Sequence, residues 1–198
     1  FIIPKGVPVM MQITCDIIKD PEDVAAYAWR YKGVLSKKIT LIGEGSFVLE
    51  VDKSSPKNHA VPTGSKEVVA TVFDFYASGE SVTMQTLGLQ IDGPNPRAVE
   101  GYSLWDSETE VARGVFANGD RHAVAAFAKP FEVPRDTHKL LTIKIDIADA
   151  GAYGTQTGDT IAVNFNGSDR NFHLTTGMGS SSGRSMAPST QQDTAASV

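Results

Sequence analysis

Residues Phe131–Ile147, FEVPRDTHKLLTIKIDI, carry the strongest structural signal in the chain. After a proline-led turn, apolar and polar residues alternate. The apolar members are Leu141, Ile143, Ile145 and Ile147. A period of two is typical of a β-strand with one buried face. The stretch therefore predicts a strand whose odd-numbered side chains lie in a core.

The same pattern occurs at Phe1–Ile17, FIIPKGVPVMMQITCDI, which aligns without gaps at an offset of 130 residues. Phe, Pro, Ile, Asp and Ile are identical in both copies. Such an offset suits a sandwich of about 100 residues plus a connection. We therefore expect residues 1–45 to be the C-terminal part of a preceding β-sandwich repeat with a helical insertion, and the chain to be a segment of a longer polypeptide. Cys15 aligns with Ile145, which favours a small buried residue over a reactive thiol.

One short helix is predicted near residues 21–32. Asp20 can cap its start, Pro21 suits the first helical position, and Gly33 ends the pattern.

From Lys38 onward the period is two, and turn residues separate the segments. The predicted strands are Lys38–Ile42, Ser46–Val51, Glu67–Tyr76, Ser81–Ile91, Val99–Trp105, Glu110–Phe116, Arg121–Phe127, Lys139–Ile147 and Asp159–Phe165. Asn118-Gly119 predicts a type I′ hairpin between the strands on either side. A shift of the apolar phase predicts a β-bulge near Gln85-Thr86.

These patterns predict an all-β fold, an antiparallel Greek-key β-sandwich complete over residues 46–172. Residues 173–198 are rich in Gly, Ser and Thr. This composition favours a linker or an extended arm ordered by a partner.

Composition excludes several partners. The net charge is -5, which argues against nucleic acid and anionic membranes, since both need clustered cations. No apolar stretch approaches the roughly 20 residues of a membrane helix. The single cysteine precludes an intramolecular disulfide without deciding the compartment.

No catalytic constellation is evident. His59, His122, His138 and His173 lie at no metal-ligand spacing, which favours solvated histidines over a zinc site. Gly177–Ser185 resembles a phosphate loop, but the glycine spacing is wrong and Arg replaces Lys, so a linker is favoured. We therefore expect no enzymatic activity and no obligate cofactor.

Two weaker signals concern calcium and glycans. Asp92, Asp106 and Glu108 are oxygen ligands that calcium would accept, although alternating acids usually form a solvated strand face. Asn166-Gly167-Ser168 matches the N-glycosylation pattern, which also occurs by chance.

Aromatic residues allow a sugar platform or ordinary packing. Tyr27, Trp29 and Tyr31 cluster on the predicted helix, and Tyr102 and Trp105 share a strand. We expect core packing for Trp105 and contact with a neighbouring domain or subunit for the helix aromatics.

The stretch Phe47–Phe165 resembles the Ig-like β-sandwich repeats of large bacterial cell-surface and S-layer-like proteins. The likeness lies in the order of local patterns, and it covers about 120 residues of the chain. The patterns are Phe47–Asp52, Ser54-Ser55-Pro56, Val61–Gly64, Val69–Tyr76, Ala77–Glu80, Leu104-Trp105-Asp106, Asn118-Gly119, Val133-Pro134 and Gly158–Ile161. The resemblance implies an extracellular, structural or adhesive role with neighbouring domains, and it brings no catalytic residues.

Two functions follow as expectations. The first is a structural surface protein that associates with copies of itself, or with neighbouring repeats, into a lattice, sheath or filament by strand addition. The alternative is a carbohydrate- or ligand-binding module of a larger secreted protein, with glycans as partners.

Overall fold

The computed structural model describes residues 45–57, 59–117, 119–151, 155–165 and 174–189. Within these ranges the chain forms strands and one 3-10 helix, Pro96–Ala98. The strands are β1 Ser46–Val51, β2 Val68–Ser78, β3 Val82–Asp92, β4 Val99–Asp106, β5 Thr109–Val115, β6 His122–Ala126, β7 Glu132–Val133, β8 Thr137–Ile147, β9 Ala162–Phe165, β10 Thr176–Gly179 and β11 Ser185–Met186. The all-β prediction is confirmed.

The helix expected near residues 21–32, the strand expected at Lys38–Ile42 and the partial repeat expected over residues 1–45 fall on residues 1–44, outside the described residues. Among the residues that are described, no helix has the length and apolar character needed to span a bilayer.

The strands form two antiparallel sheets. The five-stranded sheet has the order β1-β2-β8-β4-β5. In the six-stranded sheet β3 is central: β10 and β9 pair with it, as do β6 and β7, and β11 pairs with β10. Central β8 lies between β2 and β4, with Leu141 opposite Phe73 and Ile143 opposite Leu104.

The core lies between the two sheets. The odd-numbered residues of β8 from Leu141 to Ile147 are at most 7% exposed, as the alternation predicts. Phe73 of β2 meets Phe165 of β9 edge-to-face, with ring centroids 6.4 Å apart. Burial of each large apolar side chain contributes roughly 1.5–3 kcal/mol, so this shared core holds the sheets together.

The predicted bulge in β3 is confirmed. Thr176 lies opposite Thr86 while the next residue, Gly177, lies opposite Met84, which leaves Gln85 as the extra residue. Gln85 is exposed, and the buried phase changes from Met84 to Leu87 across it.

The predicted hairpin at Asn118-Gly119 is wrong. Strands β5 and β6 on either side belong to different sheets, so the chain crosses the sandwich instead of returning along the same sheet. A turn is present, with Gly119 at φ +86° and a hydrogen bond from Asp120 N–H to Ala117 C=O of 2.6 Å. The local residues specify a reversal, but side-chain burial decides which sheet receives the next strand.

Within residues 173–198, whose composition favours a linker or an extended arm, the structure places two strands. β10 pairs with β3, and β11 pairs with β10. A Cβ on Gly177 would lie 2.5 Å from Val82 Cγ1, so glycine is required for this close approach. Here the small residues allow packing, which composition alone does not distinguish from flexibility.

Candidate functional site

One side of the sandwich is formed by two edge strands, β5 of the five-stranded sheet and β6 of the six-stranded sheet. The two edges adjoin, because the Tyr102 hydroxyl under β5 donates to Val124 C=O of β6 at 3.5 Å. We call Ala112–Val115 together with β6 the open edge.

The register shows which backbone groups of β5 face outward. Asp52 N–H donates to Val72 C=O, so the even-numbered residues of β2 bond to β1. In an antiparallel ladder, successive residues bond alternately to the strands on either side. Followed from β2 through β8 and β4, this alternation directs the N–H and C=O groups of the even-numbered residues of β5, beyond its bulge, toward β4. The N–H and C=O of Arg113 and Val115 therefore point away from the sheet, and no described residue bonds to them.

The start of β5 is covered. Val111 C=O accepts hydrogen bonds from Ala128 N–H at 2.8 Å and Lys129 N–H at 3.3 Å. The connection after β6 thus closes the edge at Val111 and leaves it open beyond.

The side chains at the open edge are apolar apart from Arg113, which is paired, and the exposed His122. Val115 is 70% exposed and Val124 is 47% exposed. The Arg113 guanidinium donates to both carboxylate oxygens of Glu110, at 3.1 Å from Nε to Oε1 and 2.6 Å from Nη2 to Oε2, and to Glu67 at 3.2 Å. An edge with exposed valines and no unpaired charge is a favourable template for another strand.

The opposite side of the sandwich is covered at one point by the chain itself. Ser189 N–H donates to Phe47 C=O at 2.9 Å, and Ser189 forms a parallel bridge with Val48 of β1. The segment after β11 therefore covers the β1 edge at this point.

A buried carboxylate holds the turn between β10 and β11. Glu80, 2% exposed, accepts hydrogen bonds from Ser182 Oγ at 2.7 Å and from the N–H groups of Ser181 and Ser182 at 2.8 Å each. The Ser182 hydroxyl bond is the main reason that the pKa of Glu80 lies below its usual range. The stretch that resembles a phosphate loop thus binds an anion of its own chain.

The expected core packing of Trp105 is wrong. Trp105 lies opposite Thr142 on the outer face of the five-stranded sheet and is partly exposed. Its indole N–H donates to Ser103 Oγ at 2.8 Å, and Lys144 Nζ lies 3.9 Å from the ring centroid. Tyr102 is buried on the inner face, because residues three apart on a strand point to opposite sides.

The same outer face carries a second aromatic pair. The rings of Tyr76 and His138 lie 4.7 Å apart, and His138 Nδ1 is 2.8 Å from Asp74 Oδ2. Trp105 and this pair give the face a polar, aromatic surface.

The predicted calcium ligands do not come together. Asp92, at the end of β3, bonds to the side chains of Gln90 and Asn164. Asp106 pairs with Lys139 at 2.8 Å, and Glu108 lies exposed in the following turn. In the part of the chain that the structure describes, no three His, Cys, Asp or Glu side chains form a metal-binding group.

The remaining predicted residues are dispersed. His59 and His122 are exposed. Cys15, His173, the Asn166 sequon and the aromatics Tyr27, Trp29 and Tyr31 lie outside the described residues.

A cavity of about 520 Å³ opens at one end of the sandwich, between residues 59–63 and 155–161. Its walls include Val61, Ala70, Ile145 and Ile161. The nearby carboxylate of Asp159 accepts from Gln156 N–H at 3.1 Å and so serves its own loop.

Sequence patterns located β5 and β6 but not the open edge, because strand partners are not encoded locally. The available signal was Val115, an apolar residue in the same phase as Arg113, which the structure leaves exposed. No protein family, curated protein or solved structure was found to match this chain.

Proposed function

We propose that this chain is a non-enzymatic structural module of an extracellular surface protein, and that it associates with copies of itself or with neighbouring repeats into a lattice, sheath or filament. The observation that carries the proposal is the open edge. It offers outward N–H and C=O groups beside exposed valines.

The asymmetry of the two sides supports this role. Soluble β-proteins cover or charge their edges, because an unpaired edge recruits other strands. Here Ser189 covers β1 at Val48, whereas the outward N–H and C=O groups of Arg113 and Val115 have no partner among the described residues. An outward-facing edge of this kind suits a defined contact between modules.

The strand order supports a Greek-key Ig-like sandwich within this proposal. The run β1-β2-β8-β4 corresponds to an A-B-E-D sheet, with β3, β9–β10 and β11 in the places of C, F and G. Strands β5, β6 and β7 are then additions between D and E. These additions create the open edge.

Self-association is tested by sedimentation velocity over increasing concentration and by electron microscopy of concentrated protein. We expect the wild-type protein to associate and the double variant Val115→Lys, Val124→Lys to stay monomeric. Leu140→Lys is the matched control, since Leu140 is also exposed, at 46%, but lies on the outer face of β8. A wild-type chain that remains monomeric at every concentration would overturn the proposal.

Trp105 favours a second candidate, a carbohydrate-binding module. The indole is partly exposed on a sheet face beside Ser103 and Thr142, and sugars stack on such rings. A glycan array that shows binding by wild type and loss in Trp105→Ala would support it. Silence of the wild-type protein on the array would remove it.

A further inference from the structure

The open edge restricts how a second strand can bind. Among the described residues, nothing bonds to the outward backbone groups of Arg113 and Val115, whereas Ala128 and Lys129 occupy the edge at Val111. An added strand can therefore overlap β5 only from Arg113 onward.

The partner must offer an edge of its own. On a second copy the β1 edge is covered at Val48 by Ser189, so pairing of β5 with β1 would have to displace this segment. Over the same residues, no described part of the chain bonds to the β5 edge of the second copy. A patch that meets its own copy gives a two-fold, isologous contact.

On the basis of the proposed function, we propose that two copies pair β5 with β5 antiparallel around a two-fold axis at Gly114. Arg113 then lies opposite Val115 of the partner subunit, and Val115 opposite the partner's Arg113. Because both residues point their N–H and C=O outward, each of these two positions exchanges a pair of N–H to C=O bonds. The two five-stranded sheets become one continuous sheet.

Side chains on the axis permit this approach. Gly114 lies opposite the partner's Gly114, so no side chains crowd each other on the inner face at the axis. Within one copy, a Cβ on Gly114 would lie 2.4 Å from Tyr102 Oη. The stem of each Arg113 covers the exposed Val115 of the partner subunit. Each Arg113 keeps its own Glu110 and Glu67, so the symmetry places no unpaired positive charges together.

The overlap is short, so a single pair of modules associates weakly. Repeats linked along one chain raise the effective concentration and would join many such contacts. The contact is thus suited to assembly of arrays more than to an isolated dimer.

Cross-linking tests the register in a Cys15→Ser background, which removes the native cysteine. In the proposed pairing the two Val115 Cα atoms are about 8 Å apart, from the rise of a strand and the spacing between strands. We expect Val115→Cys to cross-link efficiently with a short bismaleimide at high protein concentration. Thr109→Cys, five residues from the axis on the same strand, should not, since its two copies would lie roughly 34 Å apart.

The outcomes separate the two proposals. Cross-linking of both variants indicates parallel pairing in register and overturns the two-fold arrangement. Association without a Val115 cross-link overturns it too, yet leaves self-association standing. Absence of any association in the Cys15→Ser protein defeats the proposed function itself.

Discussion

The hydroxyl of Ser182 donates a hydrogen bond of 2.7 Å to the carboxylate of Glu80, 102 residues earlier in the chain. Glu80 lies between β2 and β3, and Ser182 lies between β10 and β11. This bond ties the last two strands, and with them the segment that reaches Ser189, to the sheet they pair with. Glu80 therefore helps to hold the segment that covers β1 at Val48.

Replacement of Glu80 by Gln should loosen the β10–β11 turn. The amide keeps the shape but loses the charge, and hydrogen bonds to a charged group are stronger than those to a neutral one. We expect the amides of Ser181 and Ser182 to exchange with deuterium faster by roughly tenfold or more. Glu50→Gln, at an exposed position on β1, is the control and should leave these amides unchanged. Equal exchange in all three proteins would show that Glu80 does not hold the turn.

Stability should depend on pH through the same residue. The pKa of Glu80 is lower in the folded protein than its ordinary value of about 4.3. The unfolded state then binds more protons at acidic pH, so the contribution of Glu80 is present above that value and is lost as pH falls through the folded pKa. As the pH drops below about 4, we expect the urea midpoint of wild type to decrease more steeply than that of Glu80→Gln. Parallel curves from pH 7 to pH 3 would contradict this.

Gly177→Ala should destabilise the fold. The new Cβ would lie 2.5 Å from Val82 Cγ1, so β10 or β3 must shift. Overpacking of this kind costs about 1–3 kcal/mol of the free energy of unfolding, measured by urea denaturation. Met178→Ala, at the exposed position next in β10, should change it by less than about 0.5 kcal/mol. If the two variants are equally stable, β10 is not packed against β3.

Proline at two adjacent positions should separate folding from association. The N–H of Val115 points outward, so Val115→Pro removes no bond within the sheet and should abolish self-association while the monomer stays folded. The N–H of Gly114 points toward β4 and a Cβ there would lie 2.4 Å from Tyr102 Oη, so Gly114→Pro should reduce stability by about 1 kcal/mol or more through both effects. Circular dichroism with urea and sedimentation velocity measure the two effects. A Val115→Pro protein that associates like wild type would exclude this edge.

Much of the fold could be read from the alternation of apolar residues. The buried face of β8 and the bulge at Gln85 follow from the pattern, because burial requires a period of two and a bulge breaks it. The course of the chain after Ala117 could not be read this way. A turn signal at Gly119 is the same whether the next strand returns to its own sheet or crosses to the other.

For the site residues, too, some placements follow from the local sequence and others depend on distant contacts. Opposite placement of Tyr102 and Trp105 follows from their spacing on one strand, whereas the role of Glu80 depends on a contact between distant turns. The glycines and serines of β10 and the turn after it are residues typical of a linker. Their packing is visible only in the structure, from their contacts with Val82 and Glu80. The open edge, likewise, is a property of pairing rather than of local sequence.

The most direct test of self-association through the open edge is amide exchange at Val115 as protein concentration rises. In the monomer this amide points away from the sheet and has no acceptor among the described residues, and the amide of Val51 at the β1 edge has the same outward direction. We predict that exchange at Val115 and Arg113 slows as the protein associates, while exchange at Val51 does not change. Association with undiminished exchange at Val115 and Arg113 would contradict the account.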